Sequence, residues 1–183
     1  MTSGEFIDKL KDIVLNYKTI YVFGGVGNPM TEREKKHFTE CDWMEYNCRP
    51  DRREVIYSAD DSIFGFDCSG LIKGILWGWK GDKTLEFGGA EYKSNMVPDL
   101  YSDLLFNECE CISDDFSQIE PGEAVWMNRH IGIYIGNGLA VESTPLWKDG
   151  VQITACNCVK EGYNSRVWLK HGKLPYIVYD NRK

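Results

Sequence analysis

Apolar residues near the start of the chain fall at Phe6, Leu10, Ile13, Val14 and Tyr17, the stripe of an amphipathic helix. Thr2-Ser3-Gly4-Glu5 ahead of them fits a capping box, so the pattern predicts an N-terminal helix. A second capping box, Thr31-Glu32-Arg33-Glu34, opens a charged stretch. There Lys35, Lys36, Glu40, Asp42 and Glu45 read as a solvated face, with Phe38, Cys41, Trp43, Met44 and Tyr46 as apolar contacts. Leu71, Ile72, Ile75, Leu76 and Trp79 again have helical spacing. Gly78 to Gly89 reads as turns, Ala90 to Met96 as a further helical stretch, and Pro98 to Phe106 as a short helix. From Ile119 the period changes to that of strands. Ala124 to Met127 leads into Ile131, Ile133 and Ile135, which alternate with His130, Gly132 and Tyr134. Asn137-Gly138 is a hairpin signal, with Leu139-Ala140-Val141-Glu142 as the return strand. Val151 to Ala155, Val167 to Leu169 and Leu174 to Tyr179 are read as further strands, the last closing the sheet before a polar tail. Lys170-His171-Gly172-Lys173 has turn composition, which predicts a solvent-facing His171, and His37 among charges is expected to be exposed too. Helices first and strands afterwards give an α+β class, with N-terminal helices packed on an antiparallel sheet.

The length of 183 residues is most simply one domain, residues 1–183, and 43% hydrophobic content argues for a folded globule. A formal net charge of −7 argues against a generic nucleic-acid binder. No apolar run has the length of a membrane span, so membrane insertion is not expected. Met1-Thr2-Ser3-Gly4-Glu5 runs straight into the first helix without a secretory leader, predicting synthesis in the cytoplasm. The odd count of seven cysteines then argues for reduced thiols. Cys109-Glu110-Cys111 and Cys156-Asn157-Cys158 have only one residue between their thiols, and alternation in a strand or turn explains them without zinc.

Two positions carry chemistry. Asp67 is a good N-cap residue for the helix that follows it, which puts Cys68 in the first turn. Free amides and the helix dipole there favour negative charge, so the thiol is expected to be partly thiolate. A small buried cysteine is the alternative. His130 heads the isoleucine strand and projects from the face opposite the isoleucines, and imidazole is the base such a nucleophile needs. Tyr21-Val22-Phe23-Gly24-Gly25 lacks a Walker lysine, so its glycines are read as allowing a sharp turn or a close backbone approach to substrate.

Four blocks occur in order: Tyr21 to Gly25, Phe66-Asp67-Cys68-Ser69-Gly70-Leu71, Pro121-Gly122-Glu123-Ala124-Val125, and His130 to Gly138. Together they resemble the NlpC family of bacterial cell-wall cysteine peptidases, with the matched blocks spanning most of Tyr21 to Glu142. The resemblance implies a papain-like fold and hydrolysis of γ-D-glutamyl bonds in peptidoglycan stem peptides. It makes Cys68 the nucleophile and His130 the base, places Glu142 where the family has a third polar residue, and makes Tyr21 a site-lining tyrosine. Asp67 and Ser69 fall at positions that help hold the substrate's amino end. No metal or other cofactor is implied, and the oxyanion falls to a backbone amide near Cys68, with or without the Tyr21 hydroxyl. Without a leader, such a protein would reach the wall after lysis or by specialised export.

Residues 30–63 depart from the family pattern, a long charged segment between the glycine pair and the nucleophile. It reads equally as a lid or specificity wall and as a surface elaboration. Glu142 poses a problem of register. A strict two-residue turn at Asn137-Gly138 pairs Ile133 with Glu142, on the isoleucine face and about 10 Å along the strand from His130. A bulge or a longer loop would correct both. An N-acetylmuramoyl-L-alanine amidase or a thiol acyltransferase would use the same residues. A non-catalytic wall-binding domain is the rival outside enzymes, and an intact Cys68 and His130 speak against it.

Overall fold

The computed structural model describes residues 1–40 and 44–179, so Cys41, Asp42 and Trp43 and the polar tail lie outside the described residues. The first half comprises α1 (Ser3–Asn16), β1 (Lys18–Tyr21), β2 (Val26–Pro29), α2 (Glu32–Glu40), α3 (Glu45–Cys48), α4 (Pro50–Ser58), β3 (Ile63–Phe66) and α5 (Cys68–Leu76). The second half comprises α6 (Ser102–Asn107), β4 (Glu110–Ser113), β5 (Ala124–Met127), β6 (His130–Gly136), β7 (Leu139–Thr144), β8 (Gly150–Cys156), β9 (Ser165–Arg166) and β10 (Lys170–Lys173). The class is α+β. One sheet has the order β4-β10-β5-β6-β7-β8-β9 and a smaller one the order β1-β3-β2. The arrangement is mixed rather than purely antiparallel, because β1 pairs with β3, and β8 with β9, in parallel.

The parallel β1–β3 pair explains residues 30–63. Strands running the same way need a crossover of a dozen or more residues, and α2, α3 and α4 lie within that crossover. These helices close a small core of their own around Met30, Phe38, Met44, Ile56 and Ala59, against Val22. They are also tied to the loop after β1. The buried Asn47 accepts from the Phe23 amide at 3.0 Å and donates to the Phe23 carbonyl at 2.9 Å. Arg52 pairs with Asp149 and donates to the Tyr21 carbonyl, while the Tyr21 amide donates to Asp149 at 2.6 Å.

The main core lies between the sheet and α1 and α5. Phe6, Leu10 and Ile13 of α1, and Leu71, Ile72 and Ile75 of α5, pack with Ile131 and Ile133. Thr2 and Glu5 form the expected capping box, whereas Thr31 completes only half of the second one. Its intended partner, Glu34, instead accepts from the Asn28 side chain at 2.9 Å.

Four local expectations are corrected. Ala90 to Met96 is irregular rather than helical, with Lys93, Asn95 and Met96 all at positive φ. Val167 to Leu169 is a link between β9 and β10 rather than a strand. Leu174 to Tyr179 adds only a bridge from Val178 to Thr2. The strand within the sheet is instead Lys170 to Lys173, the stretch with turn composition. His171 is consequently buried, with Nδ1 on the Glu123 carboxylate and Nε2 facing the Asp115 carbonyl at 3.0 Å. Gly172 is required next to it, since a Cβ there would lie 2.9 Å from Cβ of Cys109. Local composition is overridden here by a tertiary partner and by a close approach.

Arg52→Ala should cost on the order of 2 kcal/mol, between a fully buried pair and an exposed one, because the Tyr21 carbonyl and Asp149 both lose their donor. A urea titration should show this, while Arg49→Ala, whose pairing with Asp51 is mostly solvated, should leave the midpoint nearly unchanged.

Candidate active site

The end of β3 delivers the chain to Asp67, whose extended backbone (φ −91°, ψ 179°) caps α5. One carboxylate oxygen accepts from the Gly70 amide at 2.5 Å and from the Ser69 hydroxyl at 3.0 Å. The other accepts from the Gly24 amide at 2.8 Å, and the Asp67 amide donates to the Gly25 carbonyl at 2.8 Å. The glycine loop is thereby latched to the first turn of α5. Gly70 permits the approach, since a Cβ there would stand 1.9 Å from the Gly25 carbonyl oxygen. Gly24 and Gly25 thus serve the approach of backbone to helix.

Cys68 emerges from this turn, 6% exposed, beside the first residues of β6. Burial, with the Asp67 charge adding to it, pushes its thiol up to about 12, against the pull of the Ile131, Ser69 and Cys68 amides. The resting thiolate expected from the helix start is therefore not what this environment favours. Desolvation of a buried sulfur outweighs the first-turn amides, leaving a protonated thiol.

His130 stands next to Ile131. A tight turn joins Met127 to His130, and Asp103 at the start of α6 pins that hairpin. Asp103 accepts from the Trp126 indole at 2.8 Å and from the Arg129 amide at 3.0 Å. Trp168 stacks on the His130 ring, with centroids 5.4 Å apart and planes at 9°. His130 Nε2 lies 2.6 Å from Glu142 Oε2.

The register problem is resolved by a bulge. Ile133 pairs with Val141 and Tyr134 with Ala140, but the next pair is Gly136 with Leu139, so Ile135 is the extra residue. Gly136 at φ 89° makes this turn of the chain possible. Continuing the pairing by one step puts Glu142 opposite Gly132, on the His130 face.

Glu142 is 0% exposed and has four donors around it. Besides His130, it accepts from Thr154 at 2.7 Å and from Arg166 at 3.1 Å and 2.6 Å. Burial alone would raise its carboxyl, but the hydrogen bonds and charges of His130 and Arg166 hold it below the usual carboxylate range. An ionised carboxylate only accepts, so Nε2 must carry the proton, and Nδ1 of a neutral His130 is left with the free lone pair.

Tyr21 sits near enough to Asp67 and Cys68 for their charges to act on it, and burial together with those charges raises its phenol, which stays a hydroxyl. Its ring meets Tyr46 edge-on, with centroids 5.8 Å apart. Ser69 is 3% exposed, and its hydroxyl is directed at Asp67. Cys68, Asp67, Ser69 and Tyr21 thus form one group around the start of α5, and His130 and Glu142 a second on the adjoining strands.

Arg166, Thr154 and Trp168 were missed from the sequence. Thr154 had a signal, since it alternates onto the polar face of β8 beside the return strand. Arg166 had none, because β9 is two residues long and carries no period. Among the described residues no group of three or more His, Cys, Asp or Glu could hold a metal. The two cysteine pairs sit near β4 and β8, five strand positions apart in the sheet. Among the described residues no helix is long and apolar enough to cross a membrane. No protein-family model matches the chain, and no curated protein is similar to it.

Alkylation of Cys68 by iodoacetamide in the free protein should rise about tenfold per pH unit from about pH 6 to about pH 9 without a plateau, as for a thiol of high pKa. Peptide mass spectrometry reads this, with the exposed Cys48, Cys111 and Cys158 as internal references. A neutral plateau would instead mean a resting ion pair.

The lowered Glu142 carboxyl has a consequence for stability. Its contribution is fully present above the unfolded-state value near 4.5 and is lost as pH falls through the lower folded-state value. The melting temperature should therefore drop on acidification below that range. Glu142→Gln should flatten this component of the drop while lowering stability at neutral pH.

Proposed function

We propose that the chain is a cysteine amide hydrolase of the NlpC type, acting on peptidoglycan stem peptides with a papain-like Cys-His arrangement. The observation that carries this reading is the His130–Glu142 contact of 2.6 Å, made by the residue next to the Ile131 amide that lies beside the Cys68 sulfur. A carboxylate held on Nε2 fixes the tautomer that leaves Nδ1 available to take a proton.

The reaction proceeds as acyl transfer. Sγ of Cys68 attacks the substrate carbonyl while its proton passes to Nδ1 of His130. The resulting oxyanion is held by first-turn amide of α5 and the hydroxyl of Tyr21. Collapse breaks the C–N bond, and the proton on His130 goes to the leaving amine, leaving a thioester on Cys68. Water then gives its proton to His130 and its oxygen to the acyl carbon, releasing a carboxylate and the thiol. Glu142 stabilises the imidazolium formed in each half, and Arg166 and Thr154 hold Glu142 in place. The high thiol pKa fits proton transfer in step with attack. Asp67 acts chiefly as the latch between the glycine loop and α5. Tyr46, from the crossover segment, forms a wall beside Tyr21.

Purified peptidoglycan digested with the protein should release fragments whose masses identify the bond. New γ-glutamyl carboxylates mark an endopeptidase, and free muramoyl lactyl carboxylates an amidase. Cys68→Ser should fold normally and lose at least about a thousandfold in turnover, since an alcohol is a poorer nucleophile with this base. Release unaffected by Cys68→Ser, or no fragments from any wall type, would sink the proposal.

A further inference from the structure

A cavity of about 380 Å³ has Gly24 in its lining and none of Cys68, His130 and Glu142. Its walls come from β2, from α2 in the crossover segment and from the irregular stretch after α5, with Gly24 at one margin. One wall is aromatic. Trp77 and Tyr92 meet edge-on at 5.1 Å, and Phe87 stacks on Tyr92 at 5.9 Å.

The charged and titratable groups lining this space are Arg33, Glu34, His37, Glu86 and Asp99. Arg33 pairs with Glu86 across the rim at 2.5 Å. Lys73 pairs with Asp99 at 2.5 Å, and the Tyr92 hydroxyl donates to the other Asp99 oxygen at 2.9 Å. Glu34 is the lining carboxylate with no ion pair among the described residues. It is 8% exposed and lines the cavity. Its Oε2 accepts from the Asn28 side chain at 2.9 Å, while Oε1 has no partner among the described residues and is not one of the buried atoms left unsatisfied, which leaves it open to the cavity. Aromatic faces beside a lone carboxylate suit a cation with an apolar stem.

We propose that this cavity binds a primary ammonium group on a short aliphatic stem, with the ammonium on Glu34 Oε1 and the stem against Trp77 and Phe87. A cavity of this size takes a small amine or an amino-acid side chain. The same group is presented by a free amine and by the side chain of a diamino acid in the substrate. Binding here does not depend on the hydrolase reading, and a hydrolase lacking this site would still cut.

The probe is n-butylammonium, followed by NMR at the Asn28 side-chain amide and the Trp77 indole. Both signals should shift saturably. Butan-1-ol, with the same stem and no charge, should bind at least about tenfold more weakly, the difference of one charge-assisted hydrogen bond. Glu34→Gln keeps the shape and the acceptor for Asn28 and should weaken n-butylammonium by about tenfold or more. Glu86→Gln, half exposed and already paired, should change it less than about threefold. Equal binding of the alcohol and the ammonium by the wild type would overturn the site without reliance on any variant. So would an affinity unmoved by Glu34→Gln. Stem-peptide fragments carrying lysine or norleucine at one position then separate the sources. A preference for lysine that disappears in Glu34→Gln assigns the site to substrate, and equal modulation of both fragments by n-butylammonium assigns it to a free amine. Absence of any cleavage would defeat the hydrolase reading while leaving the binding result intact.

Discussion

The close approach of α5 to the backbone of β2 is the constraint from which the rest of the site follows. It is possible only because Gly70 and Gly74 face the Gly25 and Val26 carbonyls, where any Cβ would collide at 1.9 Å and 2.5 Å. The Asp67 carboxylate uses that proximity, joining the Gly24 amide to the first turn of the helix. Cys68 is therefore held by backbone contacts on one side and by β6 on the other. The same closeness removes water from the sulfur. Rigid placement and a raised thiol pKa thus have one cause.

On the His130 side the controlling feature is a single extra residue. Ile135 shifts β6 against β7, and without that shift Glu142 would point into the isoleucine layer. An ionised carboxylate in that layer would be expensive; on the other face it meets four donors. Burial of the charge is tolerable because Arg166 and His130 share it. The arrangement also limits how freely Glu142 can move, since one of its oxygens serves both His130 and Arg166.

Much of this was legible in the chain, and the failures have physical reasons. The α1 stripe, the α5 spacing, the Asp67 cap and the alternation of β6 all express local periodicity and appear where it put them, except that α5 stops at Leu76, short of Trp79. The bulge was foreseeable only as a possibility, because Asn137-Gly138 states that the chain turns and not how the strands slide. β10 was hidden, since Lys170-His171-Gly172-Lys173 has no strand-like composition and is held by Glu123 and by the space over Gly172. Arg166 and Trp168 were hidden for a related reason. They act through partners distant in sequence, from a segment too short to show a period.

Residues 30–63 illustrate how a departure from a familiar pattern becomes part of the fold. Once β1 and β3 run in parallel, some crossover must connect them, and its length is then free to vary. Here α2 to α4 form their own small core, yet Asn47 and Arg52 clamp the backbone on either side of Val22. The segment's described residues are thus packed against the loop after β1. It sets the position of Tyr21, contributes Tyr46 as a neighbouring wall, and supplies Glu34 to the cavity that Gly24 lines. One crossover thereby reaches both Tyr21 and that cavity, so a change in its sequence can alter what is bound without touching Cys68 or His130.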